Sequence, residues 1–232
     1  MRRILNFSLF LLVLSASACQ SQNGPATLNT EDQKASYAIG LQMGSQLAPA
    51  DAHLDLTAYM AGIRDGMAGS DPALPQEELQ TALQALNATV QEEETARRAA
   101  AAETNSAEGE AFLAENATKD GVTVTESGLQ YEILQEGDGA TPGETERVTI
   151  HYKGTLIDGT QFDSSYDGGT PATFGVNGVI PGFSEGLKLM NVGSQYRFTI
   201  PSDIGYGPNG SGQIIGPNAT LIFEVELLEI VQ

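Results

Sequence analysis

A tyrosine, an aromatic ring and a carboxylate converge on one short stretch, His151 to Ser165, which reads HYKGTLIDGTQFDSS. Ile150 and Tyr152 fall on one face of a strand at period two, and Asp158-Gly159 makes a tight bend. The returning strand then sets Phe162 beside Asp163. A carboxylate at the edge of an apolar cluster needs a partner. Tyr206 also stands apart, because it lies in Gly205-Tyr206-Gly207-Pro208, a loop sequence where a core aromatic is not expected. Phe174, Val179, Ile180, Phe183, Ile214, Ile215 and Phe223 are each ordinary core residues when read singly. Taken with Tyr152, Phe162, Asp163 and Tyr206, they make the materials of an apolar slot with a few polar tips.

Other chemistries find less support. His53 precedes a helix in a polar segment and His151 opens a strand, and neither has a cysteine partner or a motif-spaced serine. A Ser-His-Asp triad stays open on sequence alone, but no nucleophile elbow supports one. No GKS or GKT follows the glycines, so there is no phosphate loop. Asp158 and Asp163 could form a hydrolytic carboxylate pair, although Asp158 in Asp-Gly reads better as a turn residue. With two histidines and one cysteine, a multi-ligand zinc or iron site is not expected, and neither is a cofactor.

The elements that must position the slot begin near Gly121, where helical spacing gives way to short β runs. These are Val122–Thr125, Leu129–Leu134, Val148–Lys153, Tyr196–Ile200 and Thr220–Ile230. In the last run Leu221, Phe223, Val225 and Leu227 face one way, and Glu224 and Glu226 the other. Phe183, Leu187 and Met190 recur at helical spacing after Pro181-Gly182, giving one short amphipathic helix. The expectation is an α+β domain over 121–232, a twisted antiparallel sheet wrapped on that helix.

Ahead of it the chain reads as all-α. Thr30-Glu31-Asp32-Gln33 is a capping box opening a helix that carries Tyr37, Leu41 and Gly44. Gly40 and Gly44 share a face and let another helix approach closely. Leu56, Tyr59, Met60, Ile63 and Met67 form an apolar stripe on a second helix, read as a packing face. Pro75 suits the first turn of a third. Beyond Val90 that third segment is rich in Ala and Glu, with few large apolar residues to bury. It is expected to be a solvent-exposed strut that would reach roughly 60 Å if continuous from 76 to 116, with Asn105 and Gly109 as the points where it could bend.

The chain of 232 residues carries 11 basic against 30 acidic residues, a net charge of −19 and a pI near 4.2. Such acidity serves solubility, or else a preference for basic client segments, and argues against nucleic acid or anionic lipid as partners. Arg2 and Arg3, the apolar run Ile4–Leu14 and the small residues Ala16-Ser17-Ala18 spell a secretory signal too short to span a bilayer as a mature helix. Cleavage before Cys19 with lipid on its sulfur resembles bacterial lipoprotein processing, with Ala16 where that motif prefers Leu and Gln20 resembling an outer-membrane sorting signal. Ordinary cleavage would leave a free thiol. Without Arg2 and Arg3, nine basic residues face 30 acidic ones and the charge is −21.

HYKGTLIDGTQFDSS, VIPGFSEGLKLM, IPSDIGYG and GPNATLIFEVELL, in that order, resemble the FKBP-type peptidyl-prolyl cis-trans isomerase domain over essentially all of 121–232. SYAIGLQMG, and GEAFLAEN leading into GLQYEIL, resemble the Mip/FkpA branch, which is secreted and dimerises through N-terminal helices. The residues mark 1–18 as signal peptide and 19–29 as tether, and together with the resemblance they imply 30–75 as a helical dimerisation domain, 76–118 as a long connecting helix and 121–232 as the isomerase. It makes Phe183 the pocket floor, usually Trp, lined by Tyr152, Phe162, Phe174, Val179, Ile180, Ile215 and Phe223. Tyr206 becomes the hydroxyl that holds the substrate carbonyl, and Asp163 the pocket-edge carboxylate. The basic residue some members place after the Asp strand is absent from Tyr166-Asp167-Gly168-Gly169, and Ala172 replaces an aromatic. The implied partners are proline-containing unfolded or exported polypeptides, a second copy of the chain, and macrolide inhibitors bound more weakly. The implied place is the periplasm or the outer membrane, reached through a lipid on Cys19.

Overall fold

A computed structural model describes residues 27–231. The signal segment, Cys19 and most of the tether lie outside the described residues. The chain divides into two compact units, one up to Leu54 and one from Asp55.

In the first unit, helix α1 (Glu31–Leu47) starts where the capping box places it. Thr30 Oγ1 accepts from Gln33 N at 3.2 Å, and Gln33 Oε1 accepts from Thr30 N at 3.1 Å. The helix buries none of its residues: Tyr37 and Leu41 are 46% and 57% exposed. A short 3-10 stretch over Ala48–His53 follows.

The second unit opens with helix α2 (Leu56–Ala68), capped by Asp55, whose Oδ1 accepts from Thr57 N and Ala58 N. Its apolar stripe stays open, with Met67 86% exposed. Helix α3 (Gln76–Asn116) is continuous over its 41 residues, with Pro75 as its N-cap and not in its first turn. No helix among the described residues is long and apolar enough to cross a membrane.

The carboxyl-terminal half of α3 corrects the expectation of an exposed, bendable strut. Gly109 is its one buried residue, and a Cβ there would lie 2.5 Å from Thr220 Oγ1. Asn105 is half-buried. Further along, Asn116 Nδ2 donates to Gln130 Oε1 at 2.8 Å, and Gln130 Nε2 donates to the Leu113 carbonyl at 2.8 Å. Positions 102, 105, 109, 113 and 116 fall on one helical face. Small and amide residues let the helix backbone come close to the sheet domain, so the two points expected to bend are points of docking.

The sheet has seven strands: β1 (Val122–Val124), β2 (Gln130–Gln135), β3 (Arg147–Leu156), β4 (Gln161–Ser164), β5 (Ala172–Gly175), β6 (Gln195–Ile200) and β7 (Leu221–Val231). All pairings are antiparallel, in the order β1-β2-β6-β7-β3-β4. β7 runs the length of β3 on one edge, while β5 and β4 share the other, along Arg147–Ile150 and Lys153–Thr155 respectively. The four-residue β5 was not expected from the sequence. Alternation sorts the faces: Val148, Ile150 and Tyr152 of β3, and Leu221, Phe223, Val225 and Leu227 of β7, point inward and are buried. On the outer face Arg197 of β6 bonds Glu132 of β2 at 2.7 Å and Glu224 of β7 at 2.8 Å, tying three strands together.

Helix α4 (Pro181–Leu187) lies against the inner face. Two glycines permit the approach: a Cβ on Gly186 would lie 2.6 Å from the Phe198 ring, and one on Gly182 would lie 2.6 Å from Ile200. The helix ends at Leu187, so Met190, expected within it, follows it and is nevertheless fully buried.

Candidate active site

The β3–β4 hairpin builds one wall. Leu156 N donates to Thr160 O at 2.9 Å across the turn, Gly159 takes φ +87°, and Asp158 Oδ1 accepts from Thr160 N at 2.8 Å. That Asx turn holds the Asp158 carboxyl below its usual range. Asp158 is therefore structural, as its Asp-Gly context implies. A bulge after Gly154 shifts the register, which pairs Gly154 with Asp163. Gly154 carries no Cβ because one would lie 2.5 Å from Phe162.

Tyr152 lies opposite Ser165, whose Oγ accepts from Tyr152 N at 2.9 Å. Asp163, two residues before Ser165, lies on the face that Tyr152 occupies. The Tyr152 hydroxyl donates to Asp163 Oδ2 at 2.6 Å, and this is the partner the carboxylate needed. Burial first, then that hydrogen bond and the adjacent negative charge, hold the Tyr152 phenol well above its ordinary range. The group is a fixed donor.

A cavity of about 440 Å³ opens beside this pair, lined by Tyr152, Asp163, Phe174, Gly178, Val179, Ile180, Phe183, Tyr206 and Phe223. Phe174 comes from β5, and a 3-10 turn over Val176–Gly178 delivers Val179 and Ile180 to the start of α4. Phe183, 3% exposed, forms the floor. Its ring meets Phe223 edge to face at 4.8 Å, Phe198 at 5.9 Å and Tyr152 at 6.5 Å. Such geometry suits the ring quadrupoles and fixes each ring by its neighbours. Tyr206 also lines the cavity, 38% exposed, and its hydroxyl makes no hydrogen bond among the described residues. The arrangement offers a largely apolar slot with a carboxylate and a free phenol at its mouth.

Eight of the residues singled out from the sequence thus line one cavity. Phe162 and Ile215 do not reach it. Phe162 packs edge to face on Phe223 at 5.4 Å, and Ile215 is a buried residue of the loop that follows Tyr206. Gly178 is a lining residue that sequence reasoning missed, and only its place between Phe174 and Val179 could have signalled it. The histidine and serine of the hairpin do meet, with His151 Nδ1 2.9 Å from Ser165 Oγ. Ser165 is buried and engaged with the Tyr152 backbone, while the His151 ring stacks on Tyr166 at 4.6 Å. The pair braces the hairpin. Among the described residues no group of three or more His, Cys, Asp or Glu is placed to hold a metal ion.

Residues 32–133 match the family model described as the domain amino terminal to FKBP-type peptidyl-prolyl isomerase, and residues 139–228 match that of FKBP-type peptidyl-prolyl cis-trans isomerase. The chain is 48% identical to the FKBP-type 22 kDa peptidyl-prolyl cis-trans isomerase of Escherichia coli K12, over 88% of this chain and 98% of that protein. It is 39% identical to the outer membrane protein MIP of Legionella longbeachae, over 95% and 94% of the two chains. The crystal structure of FkpA from Escherichia coli superposes with a TM-score of 0.66 at 36% identity, covering 88% of this chain and 98% of that one.

Proposed function

The chain belongs to the FKBP-type peptidyl-prolyl cis-trans isomerases that carry a helical amino-terminal domain, and we propose that it turns X–Pro bonds of exported polypeptides in the slot between Tyr152, Phe183 and Tyr206. Rotation about an X–Pro amide meets a barrier of about 18–20 kcal/mol, set by lost resonance. At the barrier the amide is twisted and less polar than when planar. A slot walled by Phe174, Phe183 and Phe223 therefore favours the twisted amide over the planar one that water solvates well.

The unbonded Tyr206 hydroxyl donates to the substrate carbonyl and anchors one side of the bond. Asp163, held through one oxygen by Tyr152, turns its charge toward the rotating carbonyl carbon and orients its neighbours. No proton is transferred and no covalent intermediate forms. A barrier lower by about 5–7 kcal/mol corresponds to roughly 10⁴–10⁵-fold acceleration. The observation that carries this reading is the ring-walled cavity of about 440 Å³ with those two polar tips at its mouth. The experiment is proline-limited refolding of a reporter protein together with a series of X-Pro peptides. No rate gain over buffer would rule the slot out as a catalytic site.

A second reading is favoured by the open stripes of the helices. Tyr37, Gly40, Leu41 and Gly44 border a shallow hollow along α1, and Leu56, Met60 and Met67 are exposed on α2. Exposed apolar stripes of this extent mark an interface. We assign 30–75 to dimerisation between two copies and 76–118 to a connecting helix that spaces the isomerase domain over 121–232, so that the pair also grips clients without catalysis. Light scattering should give a dimer for the intact protein and a monomer without residues 27–75. A monomeric intact protein would refute the assignment.

The segment 1–18 is proposed as a signal peptide and 19–29 as a tether, with lipid on Cys19 holding the protein to the outer membrane; without the lipid it would be periplasmic. The relative named as an outer membrane protein supports that location. Mass spectrometry of the mature N-terminus decides between a diacylated Cys19 and a free thiol.

A further inference from the structure

The loop Gly207–Asn218, which follows Tyr206 directly, is closed on itself. Asn218 N donates to the Gly207 carbonyl at 2.9 Å, and Ser211 and Ile215 exchange both backbone hydrogen bonds at 2.8 and 3.2 Å. Gly210 holds φ +64° where a Cβ would lie 2.2 Å from the Ile215 carbonyl. Bonds as local as these keep the loop in shape only while its two arms are fixed, so what matters is where it is fastened.

Among the described residues, the hydrogen bonds that leave this loop all end on α3. Arg98 Nη2 donates to the Asn209 carbonyl at 2.8 Å, and Asn105 Nδ2 donates to the Pro217 carbonyl at 2.7 Å. Asn218 Nδ2 approaches the Ala102 carbonyl at 3.5 Å. Positions 98, 102 and 105 lie on the docking face of the helix, one turn apart. Asn209 ends the 3-10 turn that Tyr206 caps, and Pro217 stands two residues beyond Ile215. The helix thus holds both arms of the loop. Gly216 is part of the fit, since a Cβ there would lie 2.9 Å from Asn105 Nδ2.

We infer that Arg98 and Asn105 are positioning residues for the isomerase, through which helix α3 holds the Tyr206 loop against the pocket. The inference rests on the assignment of Tyr206 to substrate binding. Neither side chain touches the cavity. Each acts on a carbonyl of the loop, and the loop places the phenol. With the helix contacts removed, the loop samples positions in which Tyr206 is off the rim, and substrate then binds only the fraction of molecules that is competent. The consequence falls on KM. A merely destabilised protein would instead lose active molecules, lowering apparent kcat at unchanged KM.

The test compares the intact protein with an Arg98→Met/Asn105→Asp double variant, which keeps side-chain volume and removes both donors. Loss of two hydrogen bonds to one loop is expected to raise KM for an X-Pro peptide by about fivefold or more, with kcat within about twofold. Amide exchange at Ile215 and Asn218 should accelerate in the variant, while Phe198 and Val225 in the sheet keep their protection. Glu103→Gln, on an exposed position of the same helix, should leave both readouts unchanged. Unaltered exchange at Ile215 and Asn218 overturns the inference, as does unaltered KM in an active protein. If the intact chain shows no isomerase activity, the functional reading fails instead, and the exchange measurement alone decides whether α3 holds the loop.

Discussion

The Tyr152 hydroxyl and the Asp163 carboxylate, on adjacent strands of one hairpin, are joined by a 2.6 Å hydrogen bond at the rim of the aromatic slot. The bond occupies one carboxylate oxygen of a residue that lines the cavity. A charge-assisted bond of this kind contributes about 1.5–3 kcal/mol. Tyr152→Phe should therefore lower kcat/KM by about tenfold or more through misplacement of Asp163. In a double-mutant cycle, adding Asp163→Asn should cost much less in the Tyr152→Phe background than in the wild type. Additive losses would mean that the two residues act independently.

Tyr206→Phe removes a hydroxyl that has no partner within the described residues. Activity toward X-Pro peptides should fall by about fivefold, the value of one hydrogen bond. The urea midpoint should not move, because nothing inside the protein loses a bond. A fall in stability matching the fall in activity would instead show that the phenol is structural.

Gly186→Ala sets two effects against each other. Alanine in a helix is favoured over glycine by up to about 1 kcal/mol. The added methyl, however, would meet the buried Phe198 ring at 2.6 Å, and overpacking a filled core costs about 1–3 kcal/mol. The clash should win, with a lower thermal midpoint and an unsettled Phe183 floor. A raised midpoint would show that α4 can lift away from the sheet.

Tyr152, Tyr166 and Tyr196 all have phenols pushed up, in each case first by burial. In the unfolded chain a tyrosine ionises near pH 10, whereas the folded groups hold their protons beyond that point. Their contribution is complete below about pH 10 and is lost as the pH rises from there toward the folded values. The urea midpoint should fall as the pH rises above about 10, and less steeply in Tyr152→Phe. An alkaline limb of identical slope in the variant would exclude Tyr152 as a contributor.

Much of the site could be read from the sequence because alternation is a strong signal. Leu221, Phe223, Val225 and Leu227 repeat at period two and are all buried in β7, and the capping box at Thr30 opens α1. Three features were less legible. The Tyr152–Asp163 bond depends on a register set by the bulge after Gly154, which no local pattern announces. Strand β5 is only Ala-Thr-Phe-Gly, too short for any periodicity. The docking face of α3 carries Ala102, Asn105, Gly109 and Asn116 beside a single large apolar residue, Leu113, so its hydrophobic pattern reads as solvent-facing. Close backbone approach needs small residues and amide bonding, and both look like exposure when only hydrophobicity is counted.

Strand β7 lies between β6 and β3, yet it spans residues 221–231, whereas β3 begins at 147 and β6 at 195. The strand that joins the two halves of the sheet is therefore the last of the seven to be synthesised. Until it exists, β1, β2 and β6 have no bridge to β3, β4 and β5, and the aromatic slot lacks Phe223. Closure of the sheet waits on residues 221–231, and the other six strands are all made before the one that joins them.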